Sequence, residues 1–248
     1  MGEIHPLPQR RAFRDIVSKA IDPCETCTAR SLTICAPLSA EEQLRMASLT
    51  TVIPLKPRQV LFREGDEAEF VYNITCGSVS LSKSLADGRR QITGFLGAGD
   101  FMGLNTRTAY TVTAEALNDV RVCRFPRAEF RKLLSEMPSL EQRLLAVTET
   151  ELATAHEQIL LLGRKTAMER IASFLLRQSE RARARGLAPN PVSLPMTRAE
   201  AADYLGLTIE TVSRCFTKLR KQDVISLPSA DRVMIRQPDR LRALAEAA

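Results

Sequence analysis

Between about Thr51 and Pro126 apolar and polar residues alternate in short runs, "VYNIT", "SVSLSKS", "RQITGFL", "YTVTAEA" and "VRVCRF", separated by Gly65, Gly77, Gly88, Gly97 and Gly99. Period-two runs broken by glycine turns are strands. Many of them in succession predict an antiparallel sandwich or barrel, because sheet-on-sheet packing buries both inner faces. Just ahead, "SAEE" at 39–42 offers Ser39 as an N-cap with Glu42 three residues on, a capping box that opens a short helix.

After Pro126 the period becomes helical, and Pro138 suits a first helical turn. Leu145, Thr148, Leu152, Ala155, Ile159 and Leu162 recur at alternating intervals of three and four, the seam spacing of two paired helices. Dimerisation is the expectation; an amphipathic helix resting on its own β-domain has the same period. The small Ala155 and polar Thr148 make such a dimer modest and therefore tunable. A further helix is expected from about 165 to 185, stopped by Gly186 and the prolines of "RARARGLAPNP". Its arginines read as a solvated face, with phosphate contact as the alternative.

"MTRAEAADYLGLTIETVSRCFTKLRKQDVI", residues 196–225, carries the most information. Thr197 and Glu200 form a second capping box, Ala201, Ala202 and Leu205 make an apolar face, and Gly206 permits a sharp turn. Thr208 can cap a second helix with Val212, Phe216 and Leu219 pointing inward. That is helix-turn-helix spacing, in which the second helix enters the major groove of DNA. Glu210, Ser213 and Arg214 fall on its outer face near the N-terminal end, where side chains reach base edges. Thr197, Thr208, Thr217, Lys218, Arg220 and Lys221 are candidate phosphate contacts. The stretch "VISLPSADRVMIRQP" that follows predicts two short strands around a turn, a wing.

Charge supports that division. Residues 1–163 carry 19 Lys/Arg against 20 Asp/Glu, and residues 164–248 carry 16 against 9. A basic C-terminal third beside a neutral remainder is the footprint of a part that meets a polyanion. In all, the chain reads as α+β, with an N-terminal cysteine-containing segment over 1–38, a β-rich domain over 39–136, a dimerisation helix over 137–164 and a winged helix-turn-helix over 165–248.

No apolar run approaches the roughly 18 residues a bilayer needs, and the charged, proline-broken start does not resemble a signal peptide, so neither membrane nor export is expected. In a reducing cytoplasm clustered thiols bind metal or do redox chemistry more often than they form disulfides. Three of the six cysteines, Cys24, Cys27 and Cys35, crowd into "CETCTARSLTICAP". Their C-x2-C pair is also half of a zinc knuckle. Cys76 reads as a buried strand residue and Cys215, beside Arg214, as structural, oxidation that blocks DNA binding being the alternative.

These residues resemble the CRP/FNR superfamily of bacterial transcription regulators over nearly the whole chain. "LFREGDEAEFVYNITCGSVSLSKSLADGRRQITGFLGAGDFMG" looks like its β-roll, the jelly roll shared with cyclic-nucleotide-binding domains, and "LTIETVSR" looks like the recognition helix of the FNR type. The resemblance implies a homodimer reading a palindrome with TTGA half-sites through Glu210, Ser213 and Arg214. It implies a [4Fe-4S] cluster on Cys24, Cys27, Cys35 and, from the β-roll, Cys123, and hence an oxygen- or redox-responsive activator. It implies RNA polymerase as a second partner, met near Asp87 and Gly88. The C-x2-C-x7-C spacing is longer than the C-x2-C-x5-C of the enterobacterial type and is similar to the cysteine-bearing FnrN and FixK branch. Zinc on the same thiols, or no cofactor with control by expression level or cysteine oxidation, is the alternative.

Cyclic nucleotide is not expected. Nucleotide-binding relatives carry a glutamate after the glycine of "GDFxG" and an arginine in a later Arg-Ser/Thr-Ala motif, whereas here Leu104 follows Gly103, the later segment is "YTVTAEA", and Arg107 is out of place. An enzyme is not expected either. The chain has no HExxH, no Walker-type loop and no Gly-x-Ser-x-Gly, and of its two histidines His5 falls in the terminal tail and His156 on the long helix.

Overall fold

The structure, a computed structural model, describes residues 24–104 and 107–246. His5 and the first 23 residues of the cysteine-containing segment lie outside the described residues.

The β-domain is built of eight strands: β1 (Thr51–Leu55), β2 (Val60–Phe62), β3 (Phe70–Cys76), β4 (Ser78–Ser84), β5 (Arg90–Gly97), β6 (Phe101–Met102), β7 (Thr113–Ala116) and β8 (Val120–Pro126). They form two antiparallel sheets in the orders β1-β8-β3-β6 and β2-β7-β4-β5. Pro54, which cannot donate to a ladder, sits on the edge strand β1. Strand alternation divides the first sheet's side chains. Tyr72, Ile74, Met102, Val120 and Val122 point inward and meet Phe62, Val79, Leu96, Ala114 and Ala116 of the second sheet. Val71, Phe101, Cys123 and Phe125 point outward into a second core.

The expected runs fall on strands, with one difference: in "YTVTAEA" only Thr113–Ala116 is strand. Gly97 is the last residue of β5, and its carbonyl accepts from Asp100 N at 3.0 Å to close the turn that follows. A Cβ on Gly97 would come within 2.9 Å of Arg185, so the glycine makes room for that guanidinium.

Three helices cover the outer face of the first sheet: α1 (Ala40–Leu49), α2 (Arg127–Glu136) and the 27-residue α3 (Pro138–Arg164). Ser39 and Glu42 make the reciprocal capping box, and Pro138 opens α3. Met46, Phe130, Leu133, Leu140 and Leu144 from these helices close over Val71, Phe101 and Phe125. Ile34, fully buried in the same layer, anchors the chain between Cys27 and α1.

The C-terminal domain comprises α4 (Ala167–Ala184), β9 (Val192–Ser193), α5 (Arg198–Leu205), α6 (Ile209–Lys221), β10 (Ile225–Ser229), β11 (Arg232–Ile235) and α7 (Pro238–Glu246). Thr166 and Glu169 form the capping box that starts α4. The wing is three-stranded, in the order β10-β11-β9, one strand more than the sequence pattern predicts. The core of this domain extends onto the β-roll, since Ile92 and Phe95 of β5 and Leu161 of α3 belong to it. Polar ties reinforce the contact: Gln91 Nε2 donates to the carbonyls of Asp203 and Tyr204, and Gln158 Nε2 to that of Tyr204. Arg181 of α4 and Arg185, which caps its C-terminal end, both donate to Asp100 Oδ2, at 2.8 and 2.5 Å. The arginine tract is therefore in part an inter-domain tie and neither a solvated face nor a phosphate site at those two positions.

Candidate thiol centre and nucleic-acid interface

Strand register brings Cys123 of β8 opposite Val52 of β1 on one side and Asn73 of β3 on the other. Because Cys123 faces outward, its thiol lies under the loop that carries the other three cysteines. That loop is held by its own backbone. Arg30 N donates to Cys27 O at 3.3 Å, the Arg30 guanidinium reaches back to Cys24 O at 2.6 Å, and a 3-10 turn spans Arg30–Leu32. Buried Thr33 donates its hydroxyl to Arg30 O and accepts from Cys35 N. From α3, Arg143 donates to Leu32 O and Thr33 O at 3.2 and 3.4 Å.

The result is one cavity lined by Cys24, Cys27, Cys35 and Cys123 together with Arg30, Thr33, Asn73 and Phe125. The four cysteines named from the sequence thus converge, although Cys123 is 88 residues from Cys35 in the chain. Asn73, Thr33 and Arg143 are not among the residues singled out from the sequence; a polar amide inside the strand-forming run "VYNIT" is the available signal for the first. Burial pushes the Cys123 thiol up to about 12, and the neighbouring Cys27, Cys24 and Cys35 add to the shift. Burial also raises Cys35, against hydrogen bonds from Thr33 and Asn73 that favour its thiolate. Four thiolates so placed repel one another, and a bound cation is what makes such a set of anions stable.

Among the described residues no three Cys, His, Asp or Glu side chains are grouped so that they could hold a metal ion as they stand. A single zinc needs its sulfurs around one centre at about 2.3 Å. A [4Fe-4S] cluster takes one thiolate at each of four iron corners, so its ligands stand further apart around a larger body. Four thiols, with Arg30 as the other ionisable group among the described lining residues, are a donor set that suits a [4Fe-4S] cluster and a tetrathiolate zinc alike.

Cys76 lies outside this centre and is exposed, contrary to the buried place expected for it. It ends β3 where the register with β8 shifts, so the alternation that buries Ile74 does not carry on to it. Cys215 is buried on the inner side of α6 and lies in the core of the C-terminal domain.

In the helix-turn-helix, Thr197 accepts from Glu200 N, Gly206 takes the left-handed conformation at φ +60°, and Thr208 accepts from Thr211 N. Arg198 stacks its guanidinium 3.7 Å from the Phe216 ring centre and so braces α5 on α6. Val212, Phe216 and Leu219 are buried, and Glu210, Ser213, Arg214, Thr217, Lys218, Arg220 and Lys221 are exposed on the opposite side of α6. Thr197 and Thr208 are exposed at the two helix starts. Glu210 is held below the usual carboxylate range, first by its own backbone N–H, then by Thr208 and the charge of Arg214. It presents a carboxylate acceptor at the end of the helix where a base-reading group would stand.

Along α3, Leu145, Leu152 and Ile159 are 59%, 57% and 68% exposed, an apolar stripe uncovered among the described residues. Thr148 turns its hydroxyl onto Leu144 O, and Ala155 is exposed between Leu152 and Ile159. Leu162 differs from the rest of the seam. It packs against the C-terminal core, where a Cβ on Gly206 would meet it at 3.2 Å. His156 is on the exposed surface of α3. Between the β-roll and α3 lies a hollow of about 560 Å³ lined by Phe62, Leu81, Leu96, Leu104, Tyr110 and Val147, with Arg131 and Glu151 as its charged groups. Arg107 lines a different hollow, beside Arg127 and Arg131.

A β-roll joined by a long helix to a winged helix-turn-helix defines a DNA-binding transcription regulator and not an enzyme. Residues 52–137 match the cyclic nucleotide-binding domain family and residues 169–244 the Crp-like helix-turn-helix domain family. The chain is 39% identical over 224 residues to the nitrogen fixation regulation protein FixK of Bradyrhizobium diazoefficiens, covering 90% of this chain and 94% of that one. It is 41% identical over 226 residues to the transcriptional activatory protein AadR of Rhodopseudomonas palustris, with the same coverage. The solved structure of FixK2 from Bradyrhizobium japonicum superposes with a TM-score of 0.74 at 38% identity, over 80% of this chain and 98% of that one. The chain belongs to the CRP/FNR family of transcription regulators. No helix among the described residues is long and apolar enough to cross a membrane.

Proposed function

We propose that this chain is a cytoplasmic, oxygen- or redox-responsive transcription activator that binds a palindrome of TTGA half-sites as a homodimer, with a [4Fe-4S] cluster on Cys24, Cys27, Cys35 and Cys123 as its sensor. The observation that carries the reading is the convergence of those four cysteines on one cavity under a loop that Arg143 ties to α3, the helix with the exposed Leu145, Leu152 and Ile159 stripe. When bound, such a cluster supplies an oxidant-labile tie among four thiolates. The chain's own residues do the rest. Ile34 and Arg143 fasten the cysteine loop to α3, so the order of that loop bears on the helix that carries the stripe. Two copies of α6 are needed for two half-sites about one DNA turn apart, so operator occupancy follows the dimer population. Glu210, Ser213 and Arg214 read bases, while Thr197, Thr208, Thr217, Lys218, Arg220 and Lys221 hold phosphates. RNA polymerase is the second protein partner in this reading, met at the β4–β5 hairpin tip near Asp87 and Gly88. The relative AadR is named as an activatory protein, which supports activation as the output. In the hollow under α3, whose charged groups are Arg131 and Glu151, Leu104 stands where nucleotide-binding relatives carry a glutamate, and Arg107 lies elsewhere; this supports a reading without cyclic nucleotide.

The test is a metal analysis and absorption spectrum of protein kept from air. About four irons per chain with broad visible absorption is the expected result, and Cys123→Ser should abolish it while Cys76→Ser leaves it intact. Zinc in place of iron, or a colourless, metal-free chain that still binds its palindrome, would replace this reading with that of a regulator holding a structural ion or none.

A further inference from the structure

Asn73 sits in the middle of β3 and is 1% exposed. Its register partners are Cys123 on β8 and Phe101 on β6, and like them it faces the layer between the sheet and the cysteine loop. Asparagine is a poor strand former, and a buried amide is costly unless its groups are bonded. Here the amide Nδ2 donates to Cys35 Sγ at 3.6 Å, while Oδ1 is buried without a hydrogen-bond partner among the described residues. As packing this is unfavourable. Valine would suit the strand better, with Val71 two residues before it in the same outer layer.

The donor has a use if Cys35 is a thiolate. A neutral thiol is a weak acceptor, but an anionic sulfur makes a charge-assisted hydrogen bond with an amide N–H. A thiolate can only accept, so it also fixes which end of the amide turns toward it and leaves Oδ1 as the group without a partner. The other hydrogen bonds on this segment hold its backbone: Thr33 Oγ1 accepts from Cys35 N, and Arg143 takes the carbonyls of Leu32 and Thr33. Asn73 is the side chain that reaches across from the β-roll to the sulfur itself. Hydrogen bonds to ligand sulfurs and second-layer partners tune the stability of metal centres.

We infer that Asn73 is a positioning residue for the thiolate centre, donating its side-chain N–H to the sulfur of Cys35 and thereby setting how firmly that ligand is held. This inference rests on the reading of the four cysteines as cluster ligands. The test uses full-length protein purified without air and its N73V variant, in which donor and unpartnered oxygen are lost together. The metal-free variant should melt at the same temperature as the wild type or higher, and the loaded variant should carry the same iron per chain. Its visible absorption should bleach on the order of tenfold faster in air-equilibrated buffer, and its Fe–S stretching bands should shift in the resonance Raman spectrum. N73S, small and too short to reach the sulfur, repeats the measurement if the valine chain does not fold. An unchanged decay rate with unchanged Raman bands overturns the inference, and so does a lower melting temperature of the metal-free chain with unchanged decay, which leaves Asn73 a packing role alone. Wild-type protein that comes out colourless and iron-free overturns the underlying reading instead, whatever the variants do.

Discussion

The Arg58 guanidinium of the β-roll donates to Glu200 Oε1 at 2.7 Å, and Glu200 is the capping-box residue of the first helix of the helix-turn-helix. The glutamate side chain is 3% exposed and also accepts from Thr197 N and Thr197 Oγ1 through Oε2. One carboxylate therefore both starts α5 and ties the DNA-binding domain to the β-roll. Glu200→Ala should cost about 1 kcal/mol for the cap and up to roughly 3 kcal/mol with the buried charge-assisted bonds included. For a domain of roughly 80 residues each kcal/mol lowers the melting temperature by about 4–8 °C. Arg58→Ala leaves the buried carboxylate its Thr197 bonds but not its cation, and should cost less than Glu200→Ala, about 1–2 kcal/mol. Thermal unfolding of the two variants side by side checks the order.

Leu152 is more than half exposed among the described residues, at the centre of the α3 stripe. Leu152→Asp should leave the melting of the monomer within about 0.5 kcal/mol of the wild type. In a dimer the same change removes a leucine from each copy, each worth roughly 1.5–3 kcal/mol on burial, which weakens association by two orders of magnitude or more. Sedimentation equilibrium measures it. A variant that melts early, with its association constant unchanged, would mean that the stripe packs within its own chain.

Arg214 and Lys221 stand on the same exposed side of α6 but at opposite ends, and they should fail differently. Arg214 emerges near the helix N-terminus and leans back to Thr211 Oγ1 at 3.3 Å, free to swing to a base edge. Arg214→Ala should cost about 1–3 kcal/mol on the TTGA palindrome and relax preference at the guanine. Lys221→Ala should weaken all sequences alike and lower the salt slope of binding by about 1. Anisotropy titrations at two salt concentrations, on the palindrome and on a half-site variant, separate the two roles.

What is legible in the sequence depends on the range of the forces involved. Ser39 with Glu42, Thr197 with Glu200, Gly206 and Thr208 act on backbone within four residues, and each stands where the sequence pattern puts it. Strand alternation over "SVSLSKS" and "VRVCRF" is equally local, and it sends Cys123 to the outer face of its sheet. The differences between pattern and fold are long-range. Val192 and Ser193 form a strand only because β11 is there to pair with them, and two residues carry no period. Arg181 and Arg185 find Asp100 some eighty residues back, and Gly97 is small to admit Arg185. Leu162 keeps the seam spacing yet is taken up by the turn at Gly206, which no helical period can reveal. Cys76 follows the strand composition but falls at a register shift, and so it meets solvent.

Arg143 links the two parts of the proposed sensor. Its guanidinium holds Leu32 O and Thr33 O in the cysteine loop, and its backbone lies two residues before Leu145, the first member of the exposed stripe. Leu32 is in turn packed on Gly99, where a Cβ would meet it at 2.6 Å, so the loop is seated against the β-roll as well as the helix. Removing the guanidinium with Arg143→Ala frees two carbonyls next to solvent-accessible loop, a loss of roughly 1.5–3 kcal/mol if the charged donor contributes as such bonds usually do. The four thiols are untouched, so iron loading and the visible spectrum should match the wild type. What should change is the link to association: the dimer constant with and without the metal should differ by less than in the wild type, because the order of the loop no longer reaches α3. Sedimentation of loaded and metal-free protein, wild type against variant, measures that difference. A variant whose dimerisation still follows its metal content to the wild-type extent would exclude Arg143 as the link and leave the Ile34 anchor in the outer core as the route.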